Sequence, residues 1–188
     1  MLQFYLSLSR FSLCLLCLLA SPLSAVAAAS SDGPQVLGWV EKAIVMPAGA
    51  TVKAKLDSGA LTSSIHATAI ELRQRDGEHW VEFELELEDS ASGEQLLTPM
   101  ALPVERFILV RGAGGEDRRP VVRLELCIGD QVYAEQFSLR DRGDMIYPVL
   151  IGRRTLRDLG LVDVNSTYLT QPSCEADHSA EAAAARVT

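Results

Sequence analysis

The sequence predicts an all-β domain, a closed barrel or a sandwich carrying one or two short helices. Three observations predict it. Apolar and polar residues alternate with a period of two in several short runs. Glycine, proline and aspartate punctuate those runs at close intervals. Helical spacing occurs only briefly, and no repeat of roughly 20–50 residues is visible.

Taken in order, Val36 to Met46 reads as a first strand, stopped by Pro47 and Gly49. Thr51 to Leu56 is a short alternating strand ending at Asp57, and Gly59 supplies the turn. Leu61 to His66 is extended again. Ala67 to Arg75 has apolar residues near helical spacing and reads as a short helix or turn, ended by Asp76-Gly77. Trp80 to Glu88 is the cleanest strand. Trp80, Phe83, Leu85 and Leu87 are set against Glu82, Glu84, Glu86 and Glu88, which read as a solvated face rather than an acidic metal site. Gln95 to Leu102 returns as its partner. Arg106 to Val110 is the next strand, followed by a glycine-rich turn and Val121 to Ile128. Gly129-Asp130 is a hairpin turn into Gln131 to Leu139. Tyr147 to Gly152 is a short apolar strand, Arg153 to Leu159 one or two helical turns, and Leu161 to Val164 a last strand.

The two ends read differently. Residues 1–29 have Arg10, an apolar stretch and small residues such as Ala25 and Ala27, the pattern of a cleaved secretory signal peptide. Its apolar core is about ten residues, short of the roughly 20 that span a bilayer. Export to the periplasm or outside the cell is the expectation. Residues 30–35 are then a linker, 36–169 the domain, and 170–188 a disordered tail without large apolar residues. Loss of the signal leaves Cys127 and Cys174, which permit one disulfide in an oxidising compartment. Cys127 also fits as a small core residue. Every acid follows the signal, so the mature chain is more acidic than the net charge of −8, which argues against nucleic acid or an anionic membrane as partner.

One stretch stands apart. Leu56-Asp57-Ser58-Gly59-Ala60 puts a carboxylate at a strand end, a costly placement unless the acid is hydrogen-bonded or used. Lys53 and Lys55 read as a wet strand face, and would lower the pKa of Asp57 if they approached it. With two further segments this stretch resembles the retropepsins, the single-domain aspartic peptidases. Ile108 to Val122, turning around Gly112, Ala113, Gly114 and Gly115, is placed like a retropepsin flap. Leu150-Ile151-Gly152-Arg153 with Leu156 is similar to the strand and helix that support the active-site loop in that fold. A closer resemblance is to a bacterial retropepsin-like family labelled ATP-dependent zinc proteases and associated with ATP-grasp glutamate ligases. It rests on Leu37 to Glu41, the Asp57 stretch with Thr62-Ser63-Ser64 and His66, Trp80 to Phe83, and Tyr147 to Arg153.

The resemblance implies a retropepsin-like closed β-barrel and an aspartic endopeptidase acting on a peptide or protein substrate. The label's zinc and ATP find no residues to match. There is no His-Glu-x-x-His, only His66, His79 and His178, and no phosphate-binding Gly-x-x-x-x-Gly-Lys loop. The expectation is therefore no metal, no cofactor and no ATP site, with His66 a satisfied loop histidine. Thr62, Ser63 and Ser64 lack the surroundings of a nucleophile. Aspartic peptidases need two carboxylates sharing one proton, and this chain has a single Asp-Ser-Gly. A homodimer giving one Asp57 per subunit follows, with Ser58 bonding across the interface and Arg153 pairing with a carboxylate near it. The alternative is a catalytically silent binding or regulatory module working with a ligase or a membrane partner.

Overall fold

The computed structural model describes residues 34–112 and 115–174. The signal-peptide reading, Ala113 and Gly114 of the glycine turn, and the tail beyond Cys174 lie outside those residues.

The described chain is mostly β with one short helix. Its strands are β1 (Val36–Gly38), β2 (Val40–Met46), β3 (Ala50–Asp57), β4 (Ser63–His66), β5 (Thr68–Arg75), β6 (Glu78–Glu88) and β7 (Gln95–Pro103). They continue as β8 (Arg106–Gly112), β9 (Gly115–Ile128), β10 (Gln131–Arg140) and β11 (Val149–Gly152), then α1 (Arg153–Leu159) and β12 (Leu161–Asp163). Hydrogen-bonded neighbours run β10-β4-β11-β3-β2-β9, and β9 pairs again with β10, so the six strands close a ring. The strand β8 extends from β9 as a hairpin.

A three-stranded sheet, β5-β6-β7, packs on the ring. Val81, Phe83, Leu85 and Leu87 of β6 join Leu56, Ile65, Leu126, Phe137, Ile151 and Leu156 in one apolar core. Asp89, at the β6 end, pins this sheet to the ring. Its Oδ2 accepts the Thr51 N–H at 2.8 Å and its Oδ1 the Ala91 and Ser92 N–H groups at 2.9 and 2.7 Å. Thr51, then Ser92 and Ala91, draw its pKa from the ordinary 3.8 to about 2. A carboxylate with a depressed folded-state value gives its hold above the unfolded value and loses it only as pH falls through the folded one. The pin is therefore fully in place above about pH 4 and still largely ionised at pH 3.

Three readings are corrected. Residues 68–75 are a strand, not a short helix: a bulge sets four residues, Thr68 to Glu71, against the three from Glu84 to Glu82 on β6 and breaks the period of two. Trp80 sits on the glutamate side of β6, because Val81 takes the buried parity, and the Arg75 guanidinium lies 4.6 Å over its ring. The first strand is two, β1 and β2, separated at Trp39, whose N–H donates to Ser166.

The two termini of the domain meet. The strand β1 pairs in parallel with β12, Val36 opposite Leu161. Beyond it the chain lies against β2: the Tyr168 N–H donates to Val40 O at 2.8 Å. Glu41, wholly buried, accepts the N–H groups of Gly38, Leu169 and Thr170 at 2.6, 2.9 and 3.1 Å. A buried carboxylate survives because it is so bonded. Cys127 and Cys174, left open between pairing and simple burial, form a disulfide across 47 residues. Reduction, or Cys174→Ser, is expected to cost about 2–4 kcal/mol of stability. Urea unfolding with and without reductant measures it; coincident curves would show that the cross-link adds nothing.

Candidate functional site

Asp57 closes β3, on the strand face it shares with Lys55. The backbone turns at once: Ala60 N–H returns to Asp57 O at 3.2 Å, and the loop residues Ser58 and Gly59 are exposed. Each carboxylate oxygen has one partner. Oδ1 accepts the Gly59 N–H at 2.9 Å, and Oδ2 accepts from Lys55 Nζ at 3.2 Å. The Asp57 side chain keeps 25% of its surface exposed. Burial pushes its pKa up, but Lys55 together with the Gly59 and Ala60 N–H groups outweighs burial and holds it below the ordinary value. Of the two lysines considered on this strand, Lys55 is the one that reaches the acid.

The loop is held from below by β11 and α1. The strand β11 runs parallel to β3 with Gly152 opposite Asp57. Gly152 N–H donates to Ser63 Oγ at 3.0 Å, and Ser63 Oγ lies 2.9 Å from Thr155 Oγ1, which donates to Glu135 at 3.2 Å. The first residues of α1 clasp the loop carbonyls: Arg153 N–H to Ala60 O at 2.8 Å and Arg154 N–H to Leu61 O at 3.3 Å. Arg153 Nη1 donates to Ser58 O at 3.1 Å. Its partner is thus a loop carbonyl and not the expected carboxylate. Leu150, Ile151 and Gly152 pair with Lys55, Leu56 and Asp57, and Arg153 follows at the start of α1.

The structure adds partners that the motifs did not name. Arg106 Nη2 donates to Thr62 Oγ1 at 3.1 Å. Arg142, buried on the loop before β11, donates Nε to Tyr147 O at 3.2 Å. Burial, then Arg140 and Arg119, draw its pKa down, while the Asp57 carboxylate opposes them. His66 Nδ1 accepts the Arg142 N–H at 2.8 Å, so the histidine orders that loop. Among the described residues no three His, Cys, Asp or Glu side chains gather as a metal-ligand group. The hairpin of β8 and β9 brings Gly112 opposite Gly115 at its tip.

A family profile described as RimB-like, retropepsin-like aspartic endopeptidase RimB, matches residues 36–173. Proteins named probable alpha-L-glutamate ligase are similar. That of Shewanella pealeana is 32% identical over 142 residues, covering 73% of this chain and 30% of its own length. That of Desulfotalea psychrophila is 34% identical over 114 residues, covering 60% of this chain and 24% of its own. The chain thus spans under a third of these curated relatives. The crystal structure of a Legionella pneumophila protein of unknown function (DUF785) is also similar. It has a TM-score of 0.60 and 29% identity, covering 72% of this chain and 98% of that one.

Proposed function

The chain belongs to the RimB-like family of retropepsin-like aspartic endopeptidases, and on that premise we propose that it hydrolyses peptide bonds as a homodimer. The observation that carries the reading is Asp57: one acid, a quarter exposed, on an exposed loop braced by Gly152 and Arg153. Two such loops meeting at a two-fold axis give two carboxylates. One takes a proton from water as it attacks the scissile carbonyl, and the other donates its proton to the carbonyl oxygen. Ser58 bonds across the axis, and Gly59 lets substrate backbone approach. The six-strand ring serves as the retropepsin barrel. The β8–β9 hairpin folds over an extended peptide and excludes water, and the peptide pairs with it as an added strand. The signal-peptide pattern of residues 1–29 supports an activity outside the cytoplasm.

A second reading is favoured by the ligase names of the relatives. A segment that matches under a third of a probable alpha-L-glutamate ligase fits a silent module that works beside a ligase or a membrane partner. One experiment separates the two: sedimentation across concentration, paired with a peptide library assayed between about pH 3 and 7, where Asp89 keeps the sheet docked. A dimer that cleaves supports the peptidase. A strict monomer, or a dimer that cleaves nothing, supports the silent module. Activity lost to a chelator and insensitive to Asp57 would instead place the chemistry on a metal.

A further inference from the structure

We propose that Lys55 is a positioning residue for this half-site: its ammonium holds Oδ2 of Asp57 in the single protomer and competes there with the proton that two Asp57 carboxylates would share. The inference rests on the peptidase reading of Asp57 and adds a control to it.

The argument is one of donors and acceptors. Oδ1 of Asp57 accepts the Gly59 N–H at 2.9 Å, a bond that favours the proton on Oδ2. Lys55 Nζ stands 3.2 Å from that oxygen. An ammonium has three donors and no acceptor, so it bonds more strongly to an ionised Oδ2 than to a protonated one; the Lys55 contact and the shared proton compete for that oxygen. A pair of carboxylates in contact needs that proton, because both cannot stay ionised. With a lysine on each acid, both could. The pair would then be charge-balanced yet lack the proton that the scissile carbonyl requires.

Lys55 is built to give way. Its side chain is 38% exposed, on a long stem, and Asp57 is its one ion-pair partner among the described residues. The other cations near the acid are fixed elsewhere. Arg142, on the loop before β11, is bonded to the Tyr147 carbonyl, and Arg153, from α1, is bonded to the Ser58 carbonyl. Each would give up its carbonyl bond to move. Lys55, from β3 itself, is the movable charge of the three.

The test uses the full mature chain with Lys55→Met, which keeps length and loses charge, and Lys55→Arg, which keeps charge. Carbon-13 NMR of carboxyl-labelled aspartate in dilute protein follows the Asp57 titration, with Asp57→Asn assigning the signal. The Met variant should titrate at higher pH than wild type, and the Arg variant close to wild type. In peptide hydrolysis, the upper limb of the pH profile should move to higher pH in the Met variant. Its rate at neutral pH should rise about two- to fivefold, the worth of a half-exposed ion pair. An unmoved Asp57 titration overturns the proposal, as does a moved titration with an unmoved pH limb. If wild type cleaves nothing, the peptidase reading and the proton-sharing clause fail together. A raised NMR midpoint would then still identify Lys55 as the group holding Asp57, so the two failures are told apart.

Discussion

Asp57→Asn is expected to lower peptide hydrolysis by about 10²–10⁴-fold, the range of a lost general acid–base group, while leaving the fold and the oligomeric state unchanged. The separation of effects follows from the local geometry. Asparagine has the shape of aspartate, and its carbonyl oxygen can still accept the Gly59 N–H that now meets Oδ1 at 2.9 Å. The contact it gives up is the Lys55 pair, between side chains 38% and 25% exposed, and such pairs add little to stability. Nothing in the core depends on the charge: Leu56 and Ile151 pack below the loop regardless. An amide, however, neither takes a proton from water nor shares one with a second carboxylate. Peptidase assays between about pH 3 and 7, with thermal unfolding and sedimentation on the same samples, check all three expectations. Hydrolysis by the variant at the wild-type rate would remove Asp57 from the chemistry.

How far the sequence carried this reading depends on whether a feature is local. Strand β6 was legible because it keeps a period of two over most of its length, and β9 and β10 because the Gly129-Asp130 turn separates two apolar-rich runs. Residues 68–75 were not, since the bulge opposite Glu82 and Glu84 shifts their apolar positions out of phase, and a shifted strand imitates a helix. Trp80 misled for a related reason: two neighbouring apolar residues, Trp80 and Val81, leave parity to decide, and parity puts Trp80 with the glutamates. At the site, Asp57 and Gly152 were legible as motif members. Ser63 belonged to the same resembling stretch, but its contact with Thr155, and that of Thr155 with Glu135, were not legible, because they span up to 92 residues and depend on β11 lying beside β3. Arg142 carried no signal; only the loop that returns it toward Asp57 gives it a place.

Gly152→Ala is expected both to destabilise the protein and to silence the site. Its backbone is unremarkable, φ −88° and ψ 170°, which alanine adopts freely. The objection is space. A Cβ there would stand 2.7 Å from the Thr62 carbonyl carbon and 2.9 Å from Ser63 N, backbone atoms that cannot rotate aside. Either β11 or the stretch from Asp57 to Ser63 must move. If the strand moves, its pairing of Ile151 with Leu56 and Gly152 with Asp57 is disturbed. If the loop moves, the Gly152 N–H to Ser63 Oγ bond and the Arg153 and Arg154 clasps on Ala60 and Leu61 lengthen. Overpacking of this kind costs about 1–3 kcal/mol, and a displacement of about 1 Å at reacting groups costs about 10²-fold in rate. Thermal unfolding reads the first and peptide hydrolysis the second. A variant that lost stability yet kept full activity would show that the strain is absorbed by β11, leaving Asp57 in place. One unchanged in both would mean that β11 does not brace the loop, and the resemblance of Leu150 to Arg153 to a supporting strand would lose its physical basis.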